Sequence, residues 1–141
     1  MREILFRGKR LDNGEWYYGS YLFLHISSVD WTGAKSGKPE DVHYIVNDQD
    51  INYAVYPSTI GQYTGLKDKN GKRIFEWDVI KRFWLGAEII YCVRYDGEYA
   101  HFIGNSMNKS GFTTFDNDGE MFEVIGNIHD NPELWKGGDE G

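Results

Sequence analysis

Cys92 and His101 are the residues of this chain best typed for covalent chemistry, because an imidazole beside a thiol can hold it as the nucleophilic thiolate. Asp96-Gly97 lies between them and reads as a two-residue hairpin turn. That turn pairs Tyr95 with Glu98, Val93 with Ala100 and Tyr91 with Phe102 on the core face. On the other face it pairs Arg94 with Tyr99, Cys92 with His101 and Ile90 with Ile103, setting thiol and imidazole about 5 Å apart at Cβ. No oxyanion device accompanies the pair, and a strand centre lacks the strained turn that such nucleophiles use. A lone Cys on a sheet face is more often a small packing residue, so a thiol enzyme using Cys92 and His101 is the weakest functional reading.

Glu76 and Asp78 share a face if that segment is extended, and paired acids serve acid-base work when their pKa values are driven apart. Nothing in the sequence supplies the asymmetry. A structural role suits Asp78 better, accepting backbone N–H groups at a strand entrance while Trp77 packs nearby. His25, His43, His101 and His129 lie far apart, and none stands in a ligand spacing. Asp68-Lys69-Asn70-Gly71 opens like a calcium loop. Such loops need an oxygen ligand fifth, Gly sixth and an acid twelfth, where this chain has Lys72, Arg73 and Val79. Asp116-Asn117-Asp118-Gly119-Glu120 gathers acids with its Gly too early and reads as a solvated hairpin tip. Gly33 to Pro39 imitates a phosphate loop but is one residue short and has Pro39 where magnesium needs a hydroxyl. No catalytic, metal-binding or cofactor-binding residue is assigned, and no cofactor is expected.

The elements that would position these residues are strands. Asn13-Gly14, Asn70-Gly71, Asp96-Gly97 and Asp118-Gly119 recur as turn signals between aromatic and β-branched runs. Strands are expected at about Ile4–Arg10, Trp16–Leu24, Val42–Val46, Tyr53–Tyr56, Ile60–Thr64, Asp78–Trp84, Glu88–Tyr95, Glu98–Ile103, Phe112–Phe115 and Met121–Ile128. Asn70-Gly71 reads as a type I′ hairpin, since both residues tolerate positive φ. Asn131-Pro132 reads as an N-cap and first helical position, giving one or two turns of helix. Residues 27 to 41 turn to Ser, Gly, Lys and Asp and read as a long loop, and 136 to 141 as a disordered tail after a single domain over 1 to 135.

Tyr63 to Ile80, with its Lys-Asp-Lys-Asn-Gly-Lys heart and Glu76-Trp77-Asp78, resembles the signature of the YopX-like family of small phage and prophage proteins. Phe122 to Leu134 resembles that family's closing block, and Ile4-Leu5-Phe6-Arg7-Gly8-Lys9 its opening. The likeness brackets nearly the whole chain, although residues 20 to 55 and 84 to 120 add little. Many members carry Gly where this chain has Trp77, which puts a tight backbone turn there in doubt. The family is of unknown function, so the resemblance implies a lineage and a fold rather than a reaction.

Composition limits the functional classes. The 141 residues suit one domain, and a net charge of −7 opposes generic binding to a phosphate backbone. The small basic clusters, Arg7 with Lys9 and Arg10, and Lys67 to Arg73, read as solubilising turn charges. A single Cys excludes an internal disulfide, and neither a membrane-spanning run nor a signal-type N-terminus is present, so a cytoplasmic location in a bacterial host is expected. Aromatics make up 16 % of the chain, a surplus of rings available for contact.

The fold expected is all-β, a twisted sheet or small barrel with little helix, with an SH3-like barrel as the arrangement for about Asp78 to Ile128. The function expected is a phage or prophage accessory protein that binds protein or self-assembles without catalysis, as a homo-oligomer or against a host or phage protein. Tyr63, Trp77, Asp78 and Trp84 are the candidate interaction residues. The alternative is a single-stranded nucleic-acid-binding small barrel that stacks bases on Trp or Tyr and sets the Lys67 to Arg73 hairpin against phosphate.

Overall fold

The computed structural model describes residues 3–26, 40–106, 111–115 and 118–136; most of the expected loop at 27 to 41, Trp31, Asp116, Asn117, the Gly33 to Pro39 motif and the tail beyond Lys136 lie outside them. The chain divides into two compact units, Ile4–Ile60 and a second that runs from Gly61 onward and includes Glu3. Each is antiparallel β.

The first unit contains β1 (Phe6–Lys9), β2 (Trp16–Ile26), β3 (Glu40–Val46) and β4 (Asn52–Ala54), followed by one 3-10 turn at Pro57–Thr59. Its strands lie in the order β4-β3-β2-β1. Asn13-Gly14 turns β1 into β2 as the sequence implies: Gly14 adopts φ 73° and Lys9 pairs Trp16. Gly19 is required by packing, since a Cβ there would lie 2.0 Å from the Val46 carbonyl oxygen, where β3 leaves the ladder. The opening Arg7-Gly8 pair is also explained. Arg7 is buried with its guanidinium 4.4 Å from the Trp16 ring centre, and a Cβ on Gly8 would press on Val55 at 3.0 Å.

The second unit contains the hairpin β5 (Gly61–Lys67) and β6 (Arg73–Phe75), and a sheet of β7 (Asp78–Trp84), β8 (Ala87–Asp96), β9 (His101–Ser106), β10 (Phe112–Thr114) and β11 (Glu123–Asn127) in the order β10-β9-β8-β7-β11. A short helix α1 (Pro132–Lys136) follows. Its core is Ile74, Ile80, Tyr91, Val93, Phe115 and Phe122, with Leu66, Ile89, Phe102 and Val124 packed against it. All-β is therefore correct. The order of strands leaves β10 and β11 as open edges, so of the two expected arrangements Asp78 to Ile128 takes the sheet and not the closed SH3-like barrel.

Three turns differ from expectation, each for a local reason. At Asn70-Gly71 only Gly71 has positive φ, 80°; Asp68 and Lys72 close a three-residue loop, a type I turn followed by a glycine bulge. The Asp68 carboxylate selects this form by accepting the N–H groups of Asn70 and Lys72 at 2.9 and 2.8 Å. At Asp96-Gly97 the Asp96 side chain accepts the Glu98 N–H, and Ala100 closes the loop at φ 56°. The loop becomes Gly97 to Ala100, four residues in place of two, and every partner moves four positions along β9, so Tyr95 faces Phe102 and Val93 faces Gly104. Because the shift is even, the core face assigned to Tyr91 and Val93 is kept. At Asp118-Gly119-Glu120 the two acids are exposed as expected of a solvated tip, but Gly119 is buried, and a Cβ on it would lie 2.5 Å from the Lys67 carbonyl oxygen.

The closing block is a lock between two asparagines. Asn127 accepts the N–H groups of His129 and Asp130 on Oδ1, while its own N–H donates to Asn131 Oδ1 at 3.2 Å and its carbonyl accepts the Asn131 N–H at 2.8 Å. Helix α1 begins at Pro132 as the sequence indicates, but the Asn131 side chain reaches back to Asn127 instead of capping the first turn. Gly126 leaves room for it, since a Cβ there would meet Asn131 Oδ1 at 2.4 Å.

Candidate interaction surface

The register separates the one nucleophile-base pair that the sequence offered. Cys92 faces Asn105, while His101 faces Asp96 and points Nε2 at its carboxylate, 3.9 Å away. Cys92 is buried, and burial, reinforced by the charges of Asp78 and Glu76, pushes its thiol up to about 12 against the opposing effect of Arg94. The thiolate is thus scarce at neutral pH. Iodoacetamide at pH 7.5 should leave native Cys92 unmodified over a period that fully alkylates the urea-unfolded chain; rapid labelling of native protein would show a reactive thiolate after all.

Glu76 and Trp77 form the tight link between β6 and β7, which begins at Asp78, and the run is not extended, so Glu76 and Asp78 do not share a face as a carboxylate dyad would. Trp77 sits at φ 75°. The left-handed turn that its bulk put in doubt is present, at a conformation that a bulky residue rarely adopts. Its N–H donates to the Val93 carbonyl at 2.8 Å and its carbonyl accepts from Ile128 at 3.1 Å, so the strained residue is tied on both sides. Asp78 accepts the Phe75 N–H at 2.8 Å, the strand-entrance role expected of it. Burial raises the Glu76 carboxyl above its usual range, against the Gln62 N–H and the charge of Arg94.

Of the four candidate interaction residues, Tyr63 and Asp78 are interior, 5 % and 2 % exposed, and offer no surface. Tyr63 packs on Phe75 with ring centres 5.6 Å apart. Trp77 is half-buried beneath the Arg94 guanidinium, 5.9 Å from its ring centre. Only Trp84 stands out in solvent, and it does so with neighbours that sequence reasoning passed over. Phe83, Trp84 and Leu85 are 70 %, 53 % and 90 % exposed at the tip of the β7–β8 hairpin.

The local chemistry of this tip is unusual. Leu85 and Gly86 have φ 51° and 79°, the signs of a two-residue type I′ turn. The type I′ turn therefore falls here and not at Asn70-Gly71. Leu occupies a position that favours Asn, Asp or Gly, at a conformational cost of about 1–2 kcal/mol. An Asn there would be easier to fold and easier to dissolve. Beside the tip, Arg82 sets its guanidinium 4.8 Å from the Trp84 ring centre and 5.6 Å from that of Phe122, and donates to Met121 Sδ. Lys81 is shared between Glu88 and Glu123 at 3.7 and 3.5 Å. The first unit has its own exposed apolar run, Tyr21, Leu22, Phe23 and Leu24 on β2.

Each basic cluster is engaged in part, while Lys67, Lys69 and Lys72 are exposed. Arg10 forks onto Asp12 at 2.8 and 2.6 Å, Lys9 stands 5.4 Å from the Trp16 ring centre opposite Arg7, and Arg73 pairs with Glu3 at 3.1 Å. Trp16 is thus taken up by cations of its own chain, which leaves it poorly placed to stack a base. The histidines lie apart: His25 bonds Asp41, His43 bonds Tyr21 and His101 faces Asp96. Among the described residues no group of three or more His, Cys, Asp or Glu is placed to hold a metal ion, and no helix is long and apolar enough to cross a membrane.

The two blocks that carried the family resemblance meet here in space. Asp68 of the first gives its second carboxylate oxygen to the Val124 N–H at 2.9 Å, and Lys69 donates to the Phe122 carbonyl at 3.0 Å, both in the closing block. The sequence pattern of the family described as YopX protein matches residues 5–136. The chain belongs to the YopX family. Among solved structures it is similar to protein EF1440 from Enterococcus faecalis, at 23 % identity and a TM-score of 0.49, over 96 % of this chain and 99 % of that one. No curated protein matches it. The YopX blocks thus account for the link between hairpin and sheet, while the exposed β7–β8 tip lies between them, in the part of the chain the resemblance hardly reached.

Proposed function

We propose that this YopX protein is a phage or prophage accessory factor that works by binding protein, a second copy of itself or a host or phage partner, and not by catalysis. The observation that carries the reading is the Phe83–Leu85 tip, three large apolar side chains held in water on a backbone conformation that disfavours Leu. Exposed apolar residues concentrated at one place mark contact surfaces, and local strain that folding alone does not require is found where function requires it. The run Tyr21 to Leu24 offers a second apolar surface in the other unit. Net charge of −7 and the pairing of Arg10 and Arg73 with carboxylates of their own chain weigh against nucleic acid. An acidic protein is also repelled by anionic lipid, which weighs against a membrane surface.

The test replaces Leu85 by a benzophenone amino acid and irradiates cells that produce the protein. The expected result is a light-dependent covalent adduct with a protein, absent when the same group stands at Asn13 on an exposed turn. No adduct above that control would remove the tip as a binding surface.

A further inference from the structure

The second unit carries a socket as well as a knob. A cleft of about 930 Å³ opens among β5, β8, β9 and β10, with apolar lining from Leu66, Phe102 and Phe115 and polar lining from Gln62, Glu76 and His101. Leu66 and Phe102 also pack on the core cluster and Phe115 belongs to it, so the apolar lining is held from beneath. The volume is in the range that receives a drug-sized ligand or a few large side chains.

Tip and cleft stand at opposite ends of β8. Trp84 pairs Ala87 at one end, and Tyr95 lines the cleft at the other. Eight residues of strand separate these ends by roughly 26 Å, so a chain cannot place its own tip in its own cleft. One charge on each side is left without an ion pair among the described residues, Arg94 acting on Glu76 only from beyond ion-pair distance. Among the described residues Arg82, against the Trp84 ring, has no carboxylate partner and its Nε has no hydrogen-bond acceptor, while Glu76 in the cleft has no cation within ion-pair distance.

We infer that the Phe83–Leu85 tip of one copy seats in the cleft of a second copy, head to tail, with Arg82 approaching the partner copy's cleft carboxylate. This rests on the protein-binding reading above and names its partner and its socket. Trp84 and Phe83 enter between the apolar linings, and Leu85 leads because the turn places it foremost. A contact of this kind joins two different surfaces, so it propagates from copy to copy until a ring closes.

The experiment uses two full-length variants: Leu85→Asp, which spoils the tip, and Gln62→Trp, which fills the cleft. Light scattering of the unaltered protein should give a mass above the 16.4 kDa of one chain that rises with concentration. Each variant alone should stay a single chain, and a mixture should form a pair that stops at two, because one intact tip and one intact cleft remain. If Gln62→Trp fails to melt cooperatively, His101→Trp fills the same cleft and replaces it. A single-chain mass for the unaltered protein, an assembled Leu85→Asp, or a mixture that stays unpaired overturns the inference. Should the benzophenone at Leu85 still capture a protein other than this one, protein binding stands and only the socket is wrong.

Discussion

Asp68→Ala should cost about 3–5 kcal/mol of folding stability, among the largest losses available at a polar position, and the loss should shrink as the solution is made acidic. Asp68 is 3 % exposed and its carboxylate accepts three backbone N–H groups, those of Asn70, Lys72 and Val124. Burial pushes its pKa up, but the three N–H donors and the Lys72 charge outweigh burial and hold it below its ordinary 3.8. A carboxyl depressed by folding stabilises the native state fully above its unfolded value and loses that contribution as pH falls through the folded one. The gap between Asp68→Ala and the unaltered protein should therefore be constant from neutral pH to near 4 and narrow below it. Urea melts at a series of pH values check this, and a gap that widens on acidification would mean that the carboxylate is not what the three donors require. Asp68→Asn keeps the shape but must turn its amide nitrogen toward at least one donor, so a loss of about 2–3 kcal/mol is expected.

Phe122→Ala should cost a similar amount, about 3–5 kcal/mol, for an apolar reason. Its ring is fully buried and lies edge-on to two others, with centres 5.2 Å from Phe115 and 6.2 Å from Tyr91. Truncation removes the ring and leaves a cavity between strands fixed by their ladders, where little can collapse to refill it. Phe122→Leu retains most of the volume and should lose only about 1–1.5 kcal/mol. Thermal and urea melts of the pair separate cavity formation from mere loss of aromaticity: equal losses would show that packing volume is not the reason. The same ring supports Arg82 from below, so Phe122→Ala should also weaken any contact that depends on Arg82.

Strand content was readable because turn residues and aromatic or β-branched runs alternate so regularly, and β7 matches its expected bounds, Asp78–Trp84. Register was not. Between β8 and β9 the outcome depended on whether Asp96 would cap Glu98 and whether Ala100 would accept positive φ, and neither is written in the Asp-Gly pair. That one turn dissolved the Cys92–His101 pair. At Asn70-Gly71 a carboxylate two residues upstream overrode the local preference. The candidate surface was legible only in Trp84, because Tyr63 and Trp77 look alike as aromatic residues in a sequence, while the partners that bury one and half-cover the other come from distant strands. A Leu-Gly pair flanked by Phe-Trp is the signal that would have marked the tip, since it combines a turn glycine with no polar residue to keep the turn in water.

The hairpin tip begins three residues beyond Ile80, the last β7 residue in the core cluster, and no core residue lies beyond it until Tyr91. Substitutions at Phe83 and Trp84 are therefore only weakly coupled to the packing of the core, while those at Leu85 and Gly86 act on stability through the positive φ of the turn. A lineage built on this scaffold can change what its tip fits without rebuilding the sheet beneath, so partner choice and foldability are free to evolve on separate schedules.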